Sequence, residues 1–125
     1  MTAPHRIRLQ SAWHATADGA VWSRSFGMPT GVNAGDRIWL EITRPAAGAA
    51  VLNGRPLPPV VAGAAAWRHD VTADLRDRNE LRLEFVAALP ARAADREPLP
   101  EAAGGVALVI TAGTDDAGAL DTRSP

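Results

Sequence analysis

The chain contains no cysteine, no lysine and no tyrosine among its 125 residues. Because it has no cysteine, a disulfide framework, a thiolate zinc site and a cysteine nucleophile are all excluded. No apolar run approaches the roughly 20 residues that span a bilayer, and the first residues lack the apolar core of a signal peptide. We therefore expect a cytoplasmic protein with no membrane partner.

The charge is balanced, with 13 arginines against 14 acidic residues and a formal net charge of −1. A nucleic-acid-binding domain would show a strong positive excess, so no nucleic-acid partner is expected. The absence of lysine is what codon drift in a GC-rich genome produces, and the arginine count alone is not evidence for an anion site. The length suits one domain.

Alternation of apolar and polar residues with a period of two is the main pattern, and it predicts strands. The last predicted strand is almost continuously apolar, as in strands that are covered on both faces. The predicted strands are residues 6–10, 21–26, 37–43, 49–53, 66–71, 80–86 and 106–111, with 12–16 as an optional eighth.

Turn residues separate the predicted strands. Asp18-Gly19 and Asn53-Gly54 accept positive φ, and the prolines that follow Gly54 exclude a helix and a central strand there. The only helical candidate is a single turn at 72–75, which Thr72 could cap. We therefore predict an all-β protein, an antiparallel β-sandwich of the jelly-roll type with at most one short helical turn.

The predicted sandwich domain covers residues 1–111. Residues 90–105 are rich in alanine, proline and charge, which predicts a long exposed connection before the last strand. Residues 112–125 carry three aspartates among small residues and have little to bury, so we expect a flexible tail.

Several short runs occur in an order and spacing that resemble the N-terminal jelly-roll domain of glycoside hydrolase family 2 enzymes, the β-galactosidase and β-glucuronidase group. The resemblance extends more broadly to the galactose-binding-like superfamily and covers about residues 20–86. Its best part is the Leu-Asn-Gly turn that is followed, sixteen residues after Gly54, by Asp-Val-Thr-x-x-Leu. The runs are WSRSFGMP (22–29), GDRIWLEI (35–42), AVLNGRPL (50–57), DVTADL (70–75) and NELRL (79–83).

This resemblance implies a sugar-binding-like fold without the chemistry of a hydrolase. In the enzymes this domain is ancillary, their catalytic glutamates belong to a separate barrel, and residues 89–104 do not match their substrate-contacting stretch. The matching residues have structural interpretations: Asn53 and Gly54 form a tight turn, Thr72 holds the turn after Val71, and Asn79 adopts a left-handed conformation.

Two charged residues are candidates for a structural ion pair. Alternation places Arg24 on the same strand face as Trp22 and Phe26, and a guanidinium on an apolar face needs a partner. Asp70 is a suitable partner and would fix the fold near an edge of the sandwich. The alternative interpretations of Arg24 are a guanidinium that faces a ligand and one that is exposed to solvent.

The tryptophans supply the candidate ligand-binding residues. Because Ile38 and Leu40, on either side of Trp39, are expected to face the core, Trp39 is expected to point outward beside Arg37 and Glu41. It could be a sugar platform, a subunit contact, or a residue covered by the 90–105 connection. Trp67 stands near a predicted loop, where it is either a cap on the core or part of a ligand site.

No residues with metal-ligand spacing or catalytic spacing are present. His5, His14 and His69 are far apart, and no cofactor or metal is predicted. Loop carboxylates at Asp18, Asp36 and Asp74 could hold a structural calcium, but no clustered acidic motif supports one.

We predict a non-catalytic interaction or assembly module, not an enzyme. Its partner would be another protein or a second copy of the chain, docked on an outward sheet face that includes Trp39 and Val86. The alternative is a carbohydrate-binding-like domain related to the sugar-binding domain of family 2 glycoside hydrolases, with a glycan as its partner.

Overall fold

The computed structural model describes residues 5–91 and 96–112, and within them two antiparallel sheets pack face to face. The predicted all-β antiparallel sandwich is confirmed. Residues 113–125 of the predicted tail lie outside the described residues, as do residues 92–95 of the predicted connection. The strands are β1 His5–Arg8, β2 His14–Ala15, β3 Val21–Gly27, β4 Arg37–Thr43, β5 Gly48–Leu52, β6 Arg55–Pro56, β7 Ala66–Asp70, β8 Arg78–Phe85 and β9 Gly105–Thr111.

The two sheets mix strands from distant parts of the chain. The four-stranded sheet has the order β1-β9-β4-β7, and the five-stranded sheet has the order β2-β3-β8-β5-β6. Strand β9 therefore inserts between β1 and β4, and β8 inserts between β3 and β5. In each sheet, an interior strand from the C-terminal half of the chain pairs with a neighbouring strand on both sides.

The core lies between the sheets and is built from the alternate apolar positions of the strands. Six large apolar side chains fill it, each at most 3% exposed: Ile38, Leu40, Leu52, Val71, Leu81 and Leu83. Trp13 and Trp22 are fully buried, and their indole N–H groups donate to the carbonyl oxygens of Leu9 and Gly19 at 2.8 and 2.9 Å. A buried indole needs such a partner because an unpaired N–H is costly.

Strand β9 is covered on both faces, as its unbroken apolar run predicts. The four residues 106–109 are 1–3% exposed. Val106 and Leu108 face the core, whereas Ala107 and Val109 lie on the outer face between residues of β1 and β4.

The helical turn is not where the sequence places it. The 3₁₀ turn lies at residues 101–103. Near the predicted position, Val71–Asp74 form a hydrogen-bonded turn that is not helical, in which the Asp74 N–H donates to the Val71 carbonyl oxygen at 2.8 Å. Within residues 5–91 and 96–112, no helix is long and apolar enough to cross a membrane.

The expected left-handed conformation of Asn79 is wrong. Positive φ outside glycine occurs, among the described residues, at Ala12, Arg44 and Asn53. Asn79 begins its strand in another way, because its buried side chain accepts from the Arg76 N–H and donates to the Arg76 carbonyl oxygen, both at 2.8 Å. The amide therefore closes a local turn without a change in the sign of φ.

Candidate binding face and groove

Charged side chains collect on the outer face of the four-stranded sheet. The register places Arg6 opposite Val109, Val109 opposite Trp39, and Trp39 opposite Asp70, so these residues share one side of the sheet. We call this surface the arginine face. Its charged and aromatic members are Arg6, Arg8, Arg37, Trp39, Glu41, Arg68 and Asp70.

Glu41 anchors the centre of the arginine face. It is only 8% exposed, and its carboxylate lies between two guanidinium groups. Arg6 donates to one carboxylate oxygen, and Nε of Arg68 is 3.4 Å from the other. A buried carboxylate tolerates its loss of water only when such partners compensate its charge, so Glu41 holds both arginines in place.

Trp39 is half-buried in the same network. The guanidinium carbon of Arg68 is 4.9 Å from the ring centroid, and the indole N–H donates to the Thr111 hydroxyl at 3.2 Å. The stacked guanidinium covers a face of the ring. The described part of the 90–105 connection pairs elsewhere, since Glu97 exchanges backbone hydrogen bonds of 2.9 Å with Trp13.

Asp70 is paired with Arg37, which corrects the expected pair with Arg24. Nε of Arg37 donates to the Asp70 carboxylate at 2.8 Å, and the Thr72 hydroxyl and N–H donate to it at 2.6 and 2.9 Å. Although burial of the carboxyl acts to raise the pKa of Asp70, the hydrogen bonds from Thr72 and the Arg37 charge outweigh it and lower that pKa. The reason is topological, because Asp70 and Arg37 lie on neighbouring strands of one sheet.

Arg24 lies in the other sheet and bonds to backbone oxygens. It donates to the carbonyl oxygens of Ser11 at 2.6 Å and Ser25 at 3.1 Å. Burial, with a smaller contribution from the Arg96 charge, lowers the pKa of Arg24. These contacts support a structural role for Arg24, as the sequence suggests, but with carbonyl oxygens as its partners.

Trp67 is separate from the arginine face. Its register opposite Ile42 places it on the inner side of β7, where it is half-buried at the margin of the core. Its N–H donates to the Pro59 carbonyl oxygen at 3.1 Å, and its ring stacks on His69 with centroids 6.2 Å apart. The structure thus places Trp39, Arg37 and Glu41 on one face and Trp67 elsewhere. Ligand binding by these four residues stays a prediction.

Val86 and Trp39 do not share a surface. Val86 is 83% exposed and follows β8 of the five-stranded sheet, whereas Trp39 lies in β4 of the four-stranded sheet. The expected docking face that includes both residues is therefore wrong, because the two belong to opposite layers of the sandwich.

The Asn53-Gly54 turn has the structural role that the sequence indicates. Both residues have positive φ, 52° and 81°, and they connect β5 to β6. The Asn53 amide donates to the Asp74 carbonyl oxygen at 3.0 Å and to the Asn79 side chain at 2.9 Å, and accepts from the Glu80 N–H at 2.9 Å. The turn thereby joins three segments of the chain.

A groove lies at one end of the arginine face, where β4 and β9 meet the 3₁₀ turn. It consists of two overlapping depressions of about 490 and 380 Å³. Both are lined by Gln10, Thr43, Arg44 and Gly105. Arg6 and Arg8 extend the groove toward the arginine face, and Glu101 lines its other end.

The floor of the groove is backbone held by side chains. The Gln10 amide donates to the Gly104 carbonyl oxygen at 3.1 Å and accepts from the Val106 N–H at 3.0 Å. A Cβ on Gly104 would lie 2.3 Å from the Thr43 carbonyl oxygen, so only glycine fits there. Sequence reasoning missed the groove, although the Gly104-Gly105 pair was a usable sign of close backbone packing.

The three aspartates weighed for calcium lie in separate loops and make local contacts. Asp18 accepts from the Thr16 hydroxyl at 2.6 Å, and this bond lowers the pKa of Asp18. Asp36 accepts from the Asn33 N–H at 2.8 Å, and Asp74 pairs with Arg55 at 2.9 Å. Residues 5–91 and 96–112 contain no group of three histidine or carboxylate side chains that could hold a metal ion.

Comparison with known proteins identifies the fold. No family model and no curated protein matches the sequence. An FMN-binding β-glucuronidase from Facaelibacterium prausnitzii L2-6 matches the structure with a TM-score of 0.62 at 22% identity, over 87% of this chain and 23% of that chain. A β-glucuronidase from an uncultured Clostridium sp. matches with a TM-score of 0.63 at 13% identity, over 88% and 29%.

A more distant similarity is to a rhamnosidase from Novosphingobium sp. PP1Y, with a TM-score of 0.54 at 17% identity, over 89% of this chain and 16% of that chain. The chain spans about a quarter of the length of the β-glucuronidases it matches. It therefore resembles one domain of glycoside hydrolase family 2-type enzymes, as the sequence runs indicate, and at these identities the likeness establishes the fold.

Proposed function

We propose that this chain is a non-catalytic binding domain that docks on an acidic protein surface through the arginine face. The observation that carries the proposal is the charge of that face. Four arginines, Arg6, Arg8, Arg37 and Arg68, stand against two carboxylates, which is an excess of +2 on a chain of net charge −1. Such a patch steers carboxylate-rich partners and fixes their orientation.

The arginine face is also ordered before any partner arrives. Arg68 is held by Glu41 and by the Trp39 ring, and Arg37 is held by Asp70. Because these side chains are already restrained, docking costs less conformational entropy than with free arginines. Arginine and tryptophan are the residues most enriched among those that dominate the binding energy of interfaces.

Two observations support the absence of catalysis. The likeness to glycosidases covers about a quarter of their length. Among the described residues, the groups with shifted pKa values are Asp18 in the turn before β3, Arg24 in β3 and Asp70 in β7, and burial, local hydrogen bonds and nearby arginine charges account for the shifts. A catalytic centre would instead bring such groups together in one cleft.

The docking role is tested with an acidic probe, poly-L-glutamate, immobilised on a biosensor. The double variant Arg37→Gln/Arg68→Gln should weaken binding about tenfold or more, because charged hydrogen bonds to the probe are lost. The matched control Arg76→Gln/Arg78→Gln removes the same charge from outside the face and should bind like wild type. Equal weakening in both pairs would mean nonspecific attraction and would reject the docking face.

Carbohydrate binding is the second candidate, and the glycosidase neighbours and the half-buried Trp39 favour it. A sugar could stack on the covered face of the ring only if Arg68 moved away. In a titration with methyl β-D-glucuronide and methyl β-D-galactoside, Arg68→Ala should then strengthen binding and Trp39→Ala should abolish it. If neither sugar changes the tryptophan fluorescence of wild type or of Arg68→Ala, carbohydrate binding is rejected.

A further inference from the structure

We propose that the groove at the end of the arginine face binds a small molecule through a carboxylate, with Arg8 and Arg44 as the residues that grip it. This site shares Arg6 and Arg8 with the docking surface, but it takes a small ligand and adds Arg44, which is not a member of the arginine face. Its test uses Arg8 and Arg44, whereas the docking test uses Arg37 and Arg68, so either proposal can fail alone.

The lining of the groove carries an excess of arginines over its one carboxylate, Glu101. Arg6, Arg8 and Arg44 line the same depression. Arg6 is paired with Glu41, which Arg68 also contacts. Within residues 5–91 and 96–112, neither Arg8 nor Arg44 makes a side-chain hydrogen bond or ion pair. Two guanidinium groups without partners beside a third cation create a local potential that an anion would relieve.

Backbone contacts fix the position of Arg44 at the groove. Arg44 has φ of +47°, a left-handed conformation that disfavours a side chain. It is held there because its N–H donates to the Ala65 carbonyl oxygen at 2.9 Å and its own carbonyl oxygen packs against Gly104. Glycine would suit this position better, and the left-handed conformation of Arg44 sets its side chain at the wall of the groove.

The shape of the groove fits a small ligand. Its larger depression, about 490 Å³, falls within the usual size of small-molecule sites. The depression exists because Gly104 and Gly105 contribute backbone alone to the floor, between Gln10 and Thr43. A side chain at Gly105 would meet the Thr43 hydroxyl at 2.7 Å.

The lining favours a hydroxylated carboxylate. The planar fork of arginine matches a carboxylate through two parallel hydrogen bonds, a geometry that the ammonium group of lysine lacks. Thr43 and Glu101 supply oxygen atoms at the same groove that can accept hydrogen bonds from ligand hydroxyl groups. A compact hydroxy acid carries both kinds of group.

The test is a titration of the full chain with tartrate, a hydroxylated dicarboxylate, and with sulfate, which carries the same charge. Calorimetry gives the affinity, and the NMR amide signals of Gly104 and Gly105 report where binding occurs. We expect tartrate to bind about fivefold or more tightly than sulfate at matched ionic strength, and to shift both glycine signals.

Three variants complete the experiment. Arg8→Gln and Arg44→Gly should each weaken tartrate binding about tenfold. Arg44→Gly should do so without loss of thermal stability, because glycine accepts the left-handed conformation. Arg78→Gln, on the five-stranded sheet, is the matched control and should bind like wild type.

Other outcomes would overturn the proposal. Absence of tartrate binding at millimolar concentrations removes the site, and equal affinity for sulfate removes the carboxylate assignment. If Arg78→Gln weakens binding as much as Arg8→Gln, the effect is one of net charge and the groove is not a site.

Discussion

Asn53 shows at the scale of one residue how a turn supports the whole sandwich. Its left-handed backbone and its three amide hydrogen bonds predict that Asn53→Ala lowers the free energy of unfolding by about 2–3 kcal/mol. Urea denaturation followed by circular dichroism measures this loss. The control Asn33→Ala, at an exposed loop position, should change stability by less than about 0.5 kcal/mol. A loss in the first variant no larger than in the control would contradict the role of the turn.

Asp70 is the residue from which a pH dependence of stability follows. Its pKa is lower in the folded chain than in the unfolded chain, so the stabilisation it contributes is complete above the unfolded pKa of about 3.9 and is lost as the pH falls through the folded value. We expect Asp70→Asn to destabilise the protein by about 1.5 kcal/mol at neutral pH. The difference from wild type should shrink toward zero as the pH falls below the folded pKa.

Unfolding curves recorded at intervals from neutral pH down to well below the unfolded pKa test this expectation, because the stabilisation is lost over that descent. Asp77→Asn, in an exposed loop, is the control and should change stability at neutral pH by less than about 0.5 kcal/mol. A constant difference between wild type and Asp70→Asn across the range would show that Asp70 stabilises the fold without titrating.

At the scale of elements, the contact between the 3₁₀ turn and the end of β4 depends on one glycine. Gly104 and Gly63 have nearly equal φ, +90° and +91°, but an added Cβ on Gly104 would meet the Thr43 carbonyl oxygen at 2.3 Å, while Gly63 has open space. Gly63→Ala should cost about 1 kcal/mol, the strain of the left-handed region. Gly104→Ala should cost about 2 kcal/mol more, because backbone atoms must also move.

The two variants are compared by their midpoints in urea. Since the conformational strain is common to both, the difference between them isolates the packing of the turn on β4. Equal midpoints would mean that the backbone around Gly104 shifts at little cost to make room for the Cβ, and that the groove floor is not rigid.

At the scale of the whole molecule, both sheets close over one core, and this predicts a single unfolding transition. Far-ultraviolet circular dichroism and tryptophan fluorescence should give coincident curves. Leu81 is fully buried on β8, the central strand of the five-stranded sheet, and Leu81→Ala should lower stability by about 3 kcal/mol without splitting the transition. Val86→Ala, at an exposed position, should change it by less than about 0.5 kcal/mol.

Separate transitions for the two probes would contradict the view of one cooperative unit. They would show that one sheet remains folded after the other has opened, although the core residues of both are in mutual contact.

Local chemistry by itself determined the long strands of this protein. The alternation around Ile38 and Leu83 and the apolar run of β9 predict strands, because side chains alternate between the faces of a strand and a strand covered on both faces needs no polar side. Asn53-Gly54 predicts a tight turn, because few residue pairs accept positive φ.

The tertiary structure alone decided which distant residues meet. Asp70 pairs with Arg37 because β7 lies beside β4, and Val86 is separated from Trp39 because β8 belongs to the opposite sheet. Arg8, Arg44 and Gly105 line one groove because β9 inserts between β1 and β4. Strand order depends on how all the apolar faces are buried together, and no local pattern in the sequence encodes that choice.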